Sequence, residues 1–177
     1  MDYKKIAEES KASQGKNELL WLLNQLDSVH PKVIVEIGVH QGYSLDVWHE
    51  AFDPEQLYGI DIDLSDADAL KIAIRAEAYI SNSDSHSDFA LNKLIEVLNG
   101  RKVDFLFIDG DHTFEGVKKD FEMYSPLVRK GGIIAFDDMD LFDNPTVEVH
   151  AFWQIVKDKY PCSWKHDDSN GIGVLYV

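Results

Sequence analysis

Apolar residues recur along this chain in two alternating rhythms. Short β-branched or aromatic runs give way to stretches with apolar positions three and four apart. These are the periods of buried strands and of amphipathic helices. Residues 1–16 are polar without a clear period and read as a loose arm or a short helix. Helical spacing begins after Asn17, an expected N-cap, with Leu19, Leu20, Leu22, Leu23 and Leu26, and stops at His30-Pro31. Lys32–Ile37 is a strand, Tyr43–Phe52 a helix and Gln56–Ile60 a second strand. Ser65 can cap a helix over Asp66–Ala76, and Ala78–Ile80 is a weak third strand. Ser87 or Asp88 can cap a helix to Leu98, with Gly100 just beyond. Val103–Ile108 is a strongly apolar fourth strand. A helix over Thr113–Ser125 carries Phe114, Val117, Phe121 and Tyr124 on one stripe. Gly131-Gly132 turns into a fifth strand, Ile133–Phe136. A helix over Val147–Lys159 and a terminal hairpin near Ser163–His166 and Gly171–Val177 complete the pattern.

Strands alternating with helices predict an α/β fold with a mainly parallel, doubly wound sheet. The strand runs are apolar on consecutive positions, as strands covered on both faces require. With 177 residues, 45% of them hydrophobic, the chain can bury one core and leaves little room for a second domain. No repeat, linker or low-complexity tract divides it, so a single domain over 1–177 is expected, with 1–30 as arm and helix.

Charge narrows the partners. Asp and Glu number 32 against 17 Lys and Arg, a net charge of −15. Such a surface repels phosphate backbones and anionic lipid, and no basic run is longer than Lys118-Lys119. Neither nucleic acid nor a membrane is expected as a partner. The lone Cys162 excludes an internal disulfide and a C-x-x-C zinc site, and fits a reducing compartment. The N-terminal segment has no apolar signal core, so a cytoplasmic location is expected.

In open α/β sheets ligands bind beyond the carboxyl ends of the strands. The first strand is followed by Glu36-Ile37-Gly38-Val39-His40-Gln41-Gly42, a glycine turn that can pass close to a ligand. The third glycine of a dinucleotide fingerprint is missing, and the turn could serve chain geometry alone. Asp61, after the second strand, is placed to accept ribose hydroxyls, while Asp63 fits a solvated helix start. Ser83, Asp84 and Ser85 follow the third strand and could meet a nucleobase edge or simply cap a helix. The strongest signal lies after the fourth and fifth strands. Adjacent parallel strands bring Asp109 near Asp137 and Asp138, and three converging carboxylates repel one another unless a cation or protons intervene. An all-oxygen set favours Mg²⁺ or another hard divalent ion, although each acid could also cap the helix after its strand. His112 beside this cluster is a metal ligand, a capping residue or, as favoured here, a general base, with Asp111 next to it. His40, His86, His150 and His166 are expected at the surface. Trp48, Trp153 and Trp164 are expected chiefly in the core.

On these residues the chain resembles a known family. FLFIDGDHTFEGVKKDFEMYSPLVRKGGIIAFDDM is similar to the second half of class I S-adenosylmethionine-dependent methyltransferases. Within that class it most resembles the group of macrolide-sugar and aminocoumarin-sugar O-methyltransferases and the cephalosporin hydroxylase-like proteins. VIVEIGVHQGYS resembles their first cofactor loop and LYGIDID their ribose-binding strand end. The resemblance spans about Val33 to Met139 and implies a Rossmann-like sheet of seven strands, the last antiparallel. It further implies that Glu36, Gly38 and Gly42 line the methionine end of the cofactor, that Asp61 holds the ribose, and that Ser83, Asp84 and Ser85 sit near the adenine. Asp109, Asp137 and Asp138 would bind Mg²⁺, and Asp111 or His112 would act as base. The implied activity is metal-assisted O-methylation of a hydroxylated small molecule. Relatives carry extra N-terminal helices or a lid, and here only Asn17–Leu26 and Met139–Glu148 could supply one. The lysine that catechol-type relatives place near the metal is replaced by His112-Thr113-Phe114 after Asp111. Two other readings stand beside this one. They are a non-catalytic cofactor-binding module or subunit, and a nicotinamide-dependent oxidoreductase, against which the incomplete glycine fingerprint argues. A homo-oligomer is left open.

Overall fold

The computed structural model describes residues 1–65, 67–139, 146–167 and 169–177. Seven strands form one sheet: β1 (Val33–Ile37), β2 (Gln56–Asp61), β3 (Tyr79–Asn82), β4 (Val103–Ile108), β5 (Val128–Phe136), β6 (Cys162–Lys165) and β7 (Ile172–Tyr176). Their order is β3-β2-β1-β4-β5-β7-β6. The first five run parallel, and β7 is antiparallel to both β5 and β6. This is the Rossmann-like sheet that the sequence pattern and the resemblance led us to expect. Chain direction across the sheet reverses between β1 and β4, which opens a crevice at their carboxyl ends.

The helices are α1 (Tyr3–Glu9), α2 (Lys16–Asp27), α3 (Tyr43–Phe52), α4 (Ala67–Arg75), α5 (Asp88–Leu98), α6 (Phe114–Tyr124) and α7 (Val149–Val156). They cover both faces, and each strand divides its side chains between two cores by the two-residue period. Ile34, Phe105 and Phe107 join Leu19, Leu22, Leu45 and Trp48 beneath α1–α4. Val33, Val35, Ile37, Leu106 and Ile108 join Leu94, Val117, Phe152 and Trp153 beneath α5–α7. Trp48 and Trp153 are core residues, as expected, whereas Trp164 on edge strand β6 is 52% exposed.

The caps explain several boundaries. Ser87 accepts from the Ala90 amide and Thr113 from the Gly116 amide, which starts α5 and α6. Helix α2 is capped by Gly15 and not by Asn17, two residues earlier than the polar-to-apolar transition suggested. The arm before it contains a short helix, α1, whose Ile6 and Ala7 bury against α2 and α3. Strand β5 starts at Val128, before the Gly131-Gly132 pair, because glycine at 131 (φ 77°) lets the chain bend without leaving the sheet. Of the stretch considered as a lid, 140–145 lies outside the described residues.

Candidate functional site

A cavity of about 620 Å³ opens at the carboxyl ends of β1–β5, a size typical of small-molecule sites. The turns after β1 and β4 press together at its floor. The Asp109 amide donates to the Ile37 carbonyl (2.8 Å) and the Gly38 amide to the Ile60 carbonyl (2.8 Å), so the ladders continue past the strands. A Cβ on Gly38 would lie 1.9 Å from the Asp109 carbonyl oxygen, and its φ is +88°. Only glycine meets both conditions.

On the β1–β2 side the wall is built largely by backbone. Asp61 Oδ2 accepts from the His40 amide (2.7 Å) and Oδ1 from the Asp63 amide (2.8 Å). Gly38, His40, Asp61 and Ile62 face the cavity. Gly42 caps α3 with φ 81° and packs toward Ile72 of α4, away from the wall. Glu36 is also set back. It lies on the Ile34 face of β1, fully buried, and accepts from Ser44 Oγ and from Trp48 Nε1 (2.7 Å), which pins α3 to the sheet. Burial pushes its carboxyl up to about 8 against the opposing effect of those two donors. Asp84 and Ser85 line the cavity, while Ser83 turns to Ser81 Oγ at 2.8 Å.

His86, expected at the surface, is half-buried in the cavity wall. Its Nε2 is 3.2 Å from the Gly116 carbonyl oxygen and 3.3 Å from Oδ1 of Asp120, a fully buried carboxyl on α6. Burial raises Asp120 to about 6. Its only sequence signal is an acid among the apolar positions of a helix. His40 is exposed but also faces the cavity.

The β4–β5 side is built by side chains. His112 stands between two acids, with Nε2 at 3.3 Å from Asp109 Oδ1 and Nδ1 at 3.0 Å from Asp138 Oδ2. One ligand atom from each of Asp109, His112 and Asp138 fits within 4.8 Å of the others. Asp137, 6% exposed, adjoins them. Asp138 holds a left-handed φ of 57°, a strained conformation for a non-glycine residue that turns the chain after β5. Asp111 lines the cavity, but its Oδ1 accepts from the Thr113 amide (2.9 Å), so its carboxylate serves the start of α6. Burial, and then the charge of Asp138, lifts Asp109 well above the usual carboxylate range. Burial and Asp109 do the same to Asp137. Two such acids side by side resist ionisation unless positive charge joins them.

Two residues of this wall carried no signal in the sequence. Gln14, 4% exposed, comes from the segment before α2, and its Nε2 donates to Asp137 Oδ2 (2.6 Å) and Asp109 Oδ2 (3.1 Å). Asn170 Nδ2 donates to Asp138 Oδ1 (2.6 Å) from the loop between β6 and β7. Both lie in polar stretches without a period, and only the folded chain brings them to the acids.

A doubly wound sheet with a crevice at its reversal point, and acids at the ends of β2, β4 and β5 that face it, is the architecture of class I methyltransferase domains. The chain belongs to the methyltransferase-domain family, which it matches over residues 35–139. It is 36% identical over 112 residues to an uncharacterized protein of Acanthamoeba polyphaga mimivirus, a match covering 59% of this chain and 50% of that one. It is 34% identical over 127 residues to tapetum-specific methyltransferase 1 of Arabidopsis thaliana, covering 69% and 53%. The chain thus spans about half the length of these two curated relatives. Among solved structures, an O-methyltransferase from Bacillus cereus in complex with S-adenosylhomocysteine superposes with a TM-score of 0.73 at 17% identity, over 99% of this chain and 90% of that one. The MycE methyltransferase of the mycinamycin pathway, in complex with Mg, S-adenosylhomocysteine and mycinamycin VI, gives 0.68 at 18% identity, over 99% and 53%. At these identities the shared property is the class I methyltransferase fold. Among the described residues, no helix is long and apolar enough to cross a membrane.

Proposed function

We propose that this chain, as one domain over residues 1–177, binds S-adenosylmethionine in the cavity and transfers its methyl group to a hydroxyl of a small molecule such as a sugar or natural product, assisted by Mg²⁺ or another hard divalent cation. The observation that carries the reading is the gathering of Asp109, Asp137 and Asp138 about His112 in the cavity wall, across β1 from Asp61. The solved structures that bind S-adenosylhomocysteine on this fold, one of them with Mg, support it.

The sulfonium of S-adenosylmethionine supplies an activated methyl group, and a bound cation supplies the charge that makes a neighbouring hydroxyl more acidic. The protein does the rest. Asp61 would accept the ribose hydroxyls on the carboxylate lone pairs left by His40 and Asp63. Gly38 lets the backbone approach the cofactor, and Gly42 and Glu36 hold α3 behind it. Asp84 and Ser85 would face the adenine, with Ser83 supporting their turn. Asp109, Asp137 and Asp138 would hold the cation, because hard ions prefer oxygen to imidazole. That leaves His112 to take the acceptor's proton as the methyl transfers. Asp111, one of whose carboxylate oxygens accepts from the Thr113 amide, is the other candidate for this role.

The test is a screen of hydroxylated acceptors with methyl-labelled S-adenosylmethionine, with Mg²⁺ or with chelator. Transfer should require the cation and vanish in Asp137→Ala/Asp138→Ala, while S-adenosylhomocysteine binding persists. Transfer that ignores chelator would refute the metal role. Cofactor binding without transfer to any acceptor would instead favour a non-catalytic cofactor-binding module.

A further inference from the structure

The acids of the cation site are held from outside by two neutral amides. Each of Asp109 and Asp138 has one oxygen toward His112 and the other toward an amide donor. For Asp109 these are Oδ1 to His112 and Oδ2 to Gln14. For Asp138 they are Oδ2 to His112 and Oδ1 to Asn170. The Gln14 amide nitrogen reaches Asp137 Oδ2 as well, so its two hydrogens join acids from different strands.

We propose that Gln14, seconded by Asn170, is a positioning residue of the cation site: its amide occupies the outer carboxylate oxygens and so turns the inner ones to a common point. The inference rests on the metal reading above and adds to it a part of the chain that lies outside residues 35–139. A neutral donor suits this role. A lysine or arginine here would cancel the charge that attracts the ion, whereas an amide orients carboxylates and leaves their charge in place.

Both amides depend on the start of α2. Gln14 lies just before the Gly15 cap. Glu18, fully buried in the first turn, accepts from the Asp167 amide (3.1 Å) and the Gly171 amide (3.2 Å), which fixes the loop that carries Asn170. Gly171 in turn accepts from the Met139 amide (3.1 Å), next to Asp138. The first turn of α2 therefore governs the acids by two separate routes.

The experiment is a Mn²⁺ titration of the S-adenosylhomocysteine complex, read by electron paramagnetic resonance. It compares wild type with Gln14→Met, which fills the same space without donors, and Asn170→Ala. Gln14→Met should weaken Mn²⁺ binding by about 10- to 100-fold, the usual effect of losing a partner that orients a ligand. Asn170→Ala should weaken it less, since it frees one acid and not two. Affinity for S-adenosylhomocysteine and the melting temperature should stay near wild type, which separates positioning from loss of fold. Unchanged or tighter Mn²⁺ binding in Gln14→Met overturns the proposal and leaves the cation site standing. A wild-type complex that holds S-adenosylhomocysteine but no Mn²⁺ overturns both.

Discussion

The two sides of the cavity are built on different plans. Beyond β1 and β2, the wall is chain folded on itself: Gly38 against the Asp109 carbonyl, and the His40 and Asp63 amides on Asp61. The amides on Asp61 come from 21 and 2 residues away, and the partners on this side are largely backbone. Beyond β4 and β5, the wall is a set of side chains whose partners come from 95 and 123 residues away, in Gln14. The first side is set once the strands pair. The second is completed only when α2 and the loop before β7 dock. A backbone-built wall gives shape, which suits a cofactor whose form never changes. A side-chain-built wall gathers charge that the bare sheet would not tolerate.

The largest effect should come from the seam between the two sides. Gly38→Ala puts a Cβ into the Asp109 carbonyl at a positive φ, and should cost about 4 kcal/mol in denaturant unfolding and distort both walls together. If only one ligand's binding suffered, the seam would not be shared.

Next comes the support behind the backbone-built side. Glu36 rises from 4.5 to about 8 on burial, so the folded protein keeps a proton that the unfolded chain releases. Its contribution to stability should therefore fall as pH rises from 4.5 to about 8, and level off above that. Glu36→Gln lacks this contribution but keeps those of Asp109, Asp120 and Asp137, and its amide can donate to Ser44 while its oxygen accepts from Trp48. It should match wild type at pH ~4 and lead it by on the order of 5 kcal/mol at pH ~9 in thermal or chemical melts. A constant offset at every pH would mean that Glu36 stays charged in the fold.

How much of each side could be read beforehand follows the same division. The glycine turn, Asp61, and the acids at 109, 137 and 138 are all legible, because strand ends and glycines announce themselves in the hydrophobic pattern. The seven-stranded topology followed from the same periodicity together with the family resemblance. Glu36 was legible as a residue but not as a buried one. The two-residue period of β1 gives it the Ile34 face, and only the packing of Trp48 shows that this face points away from the cavity. Gln14, Asn170 and the His86–Asp120 pair were not legible, because a long-range side-chain contact leaves no trace in local spacing. The Asn17 cap was misread for a related reason: the polar residues from Lys16 onward already belong to the helix, since Glu18 is buried by a loop 149 residues away.

Smaller effects sharpen the contrast. Asp61→Ala should weaken S-adenosylhomocysteine binding by roughly 10- to 100-fold in calorimetry and leave Mn²⁺ affinity nearly unchanged, since the two hydrogen bonds that shape the turn are lost on one side only. Equal losses for both ligands would show that the walls are not independent. Thr113→Ala removes the cap of α6 and should cost about 1 kcal/mol of stability, with little change in either ligand's affinity.

The most direct measurement places the two sides against each other. S-adenosylmethionine carrying a ¹³C-methyl group is bound to the protein, and its methyl resonance is followed by NMR as Mn²⁺ is added. With the ion held at the ends of β4 and β5, the resonance should broaden strongly in wild type and stay sharp in Asp137→Ala/Asp138→Ala, with the cofactor bound in both. A methyl line that stays sharp in the wild-type complex at saturating Mn²⁺ would contradict the shared site.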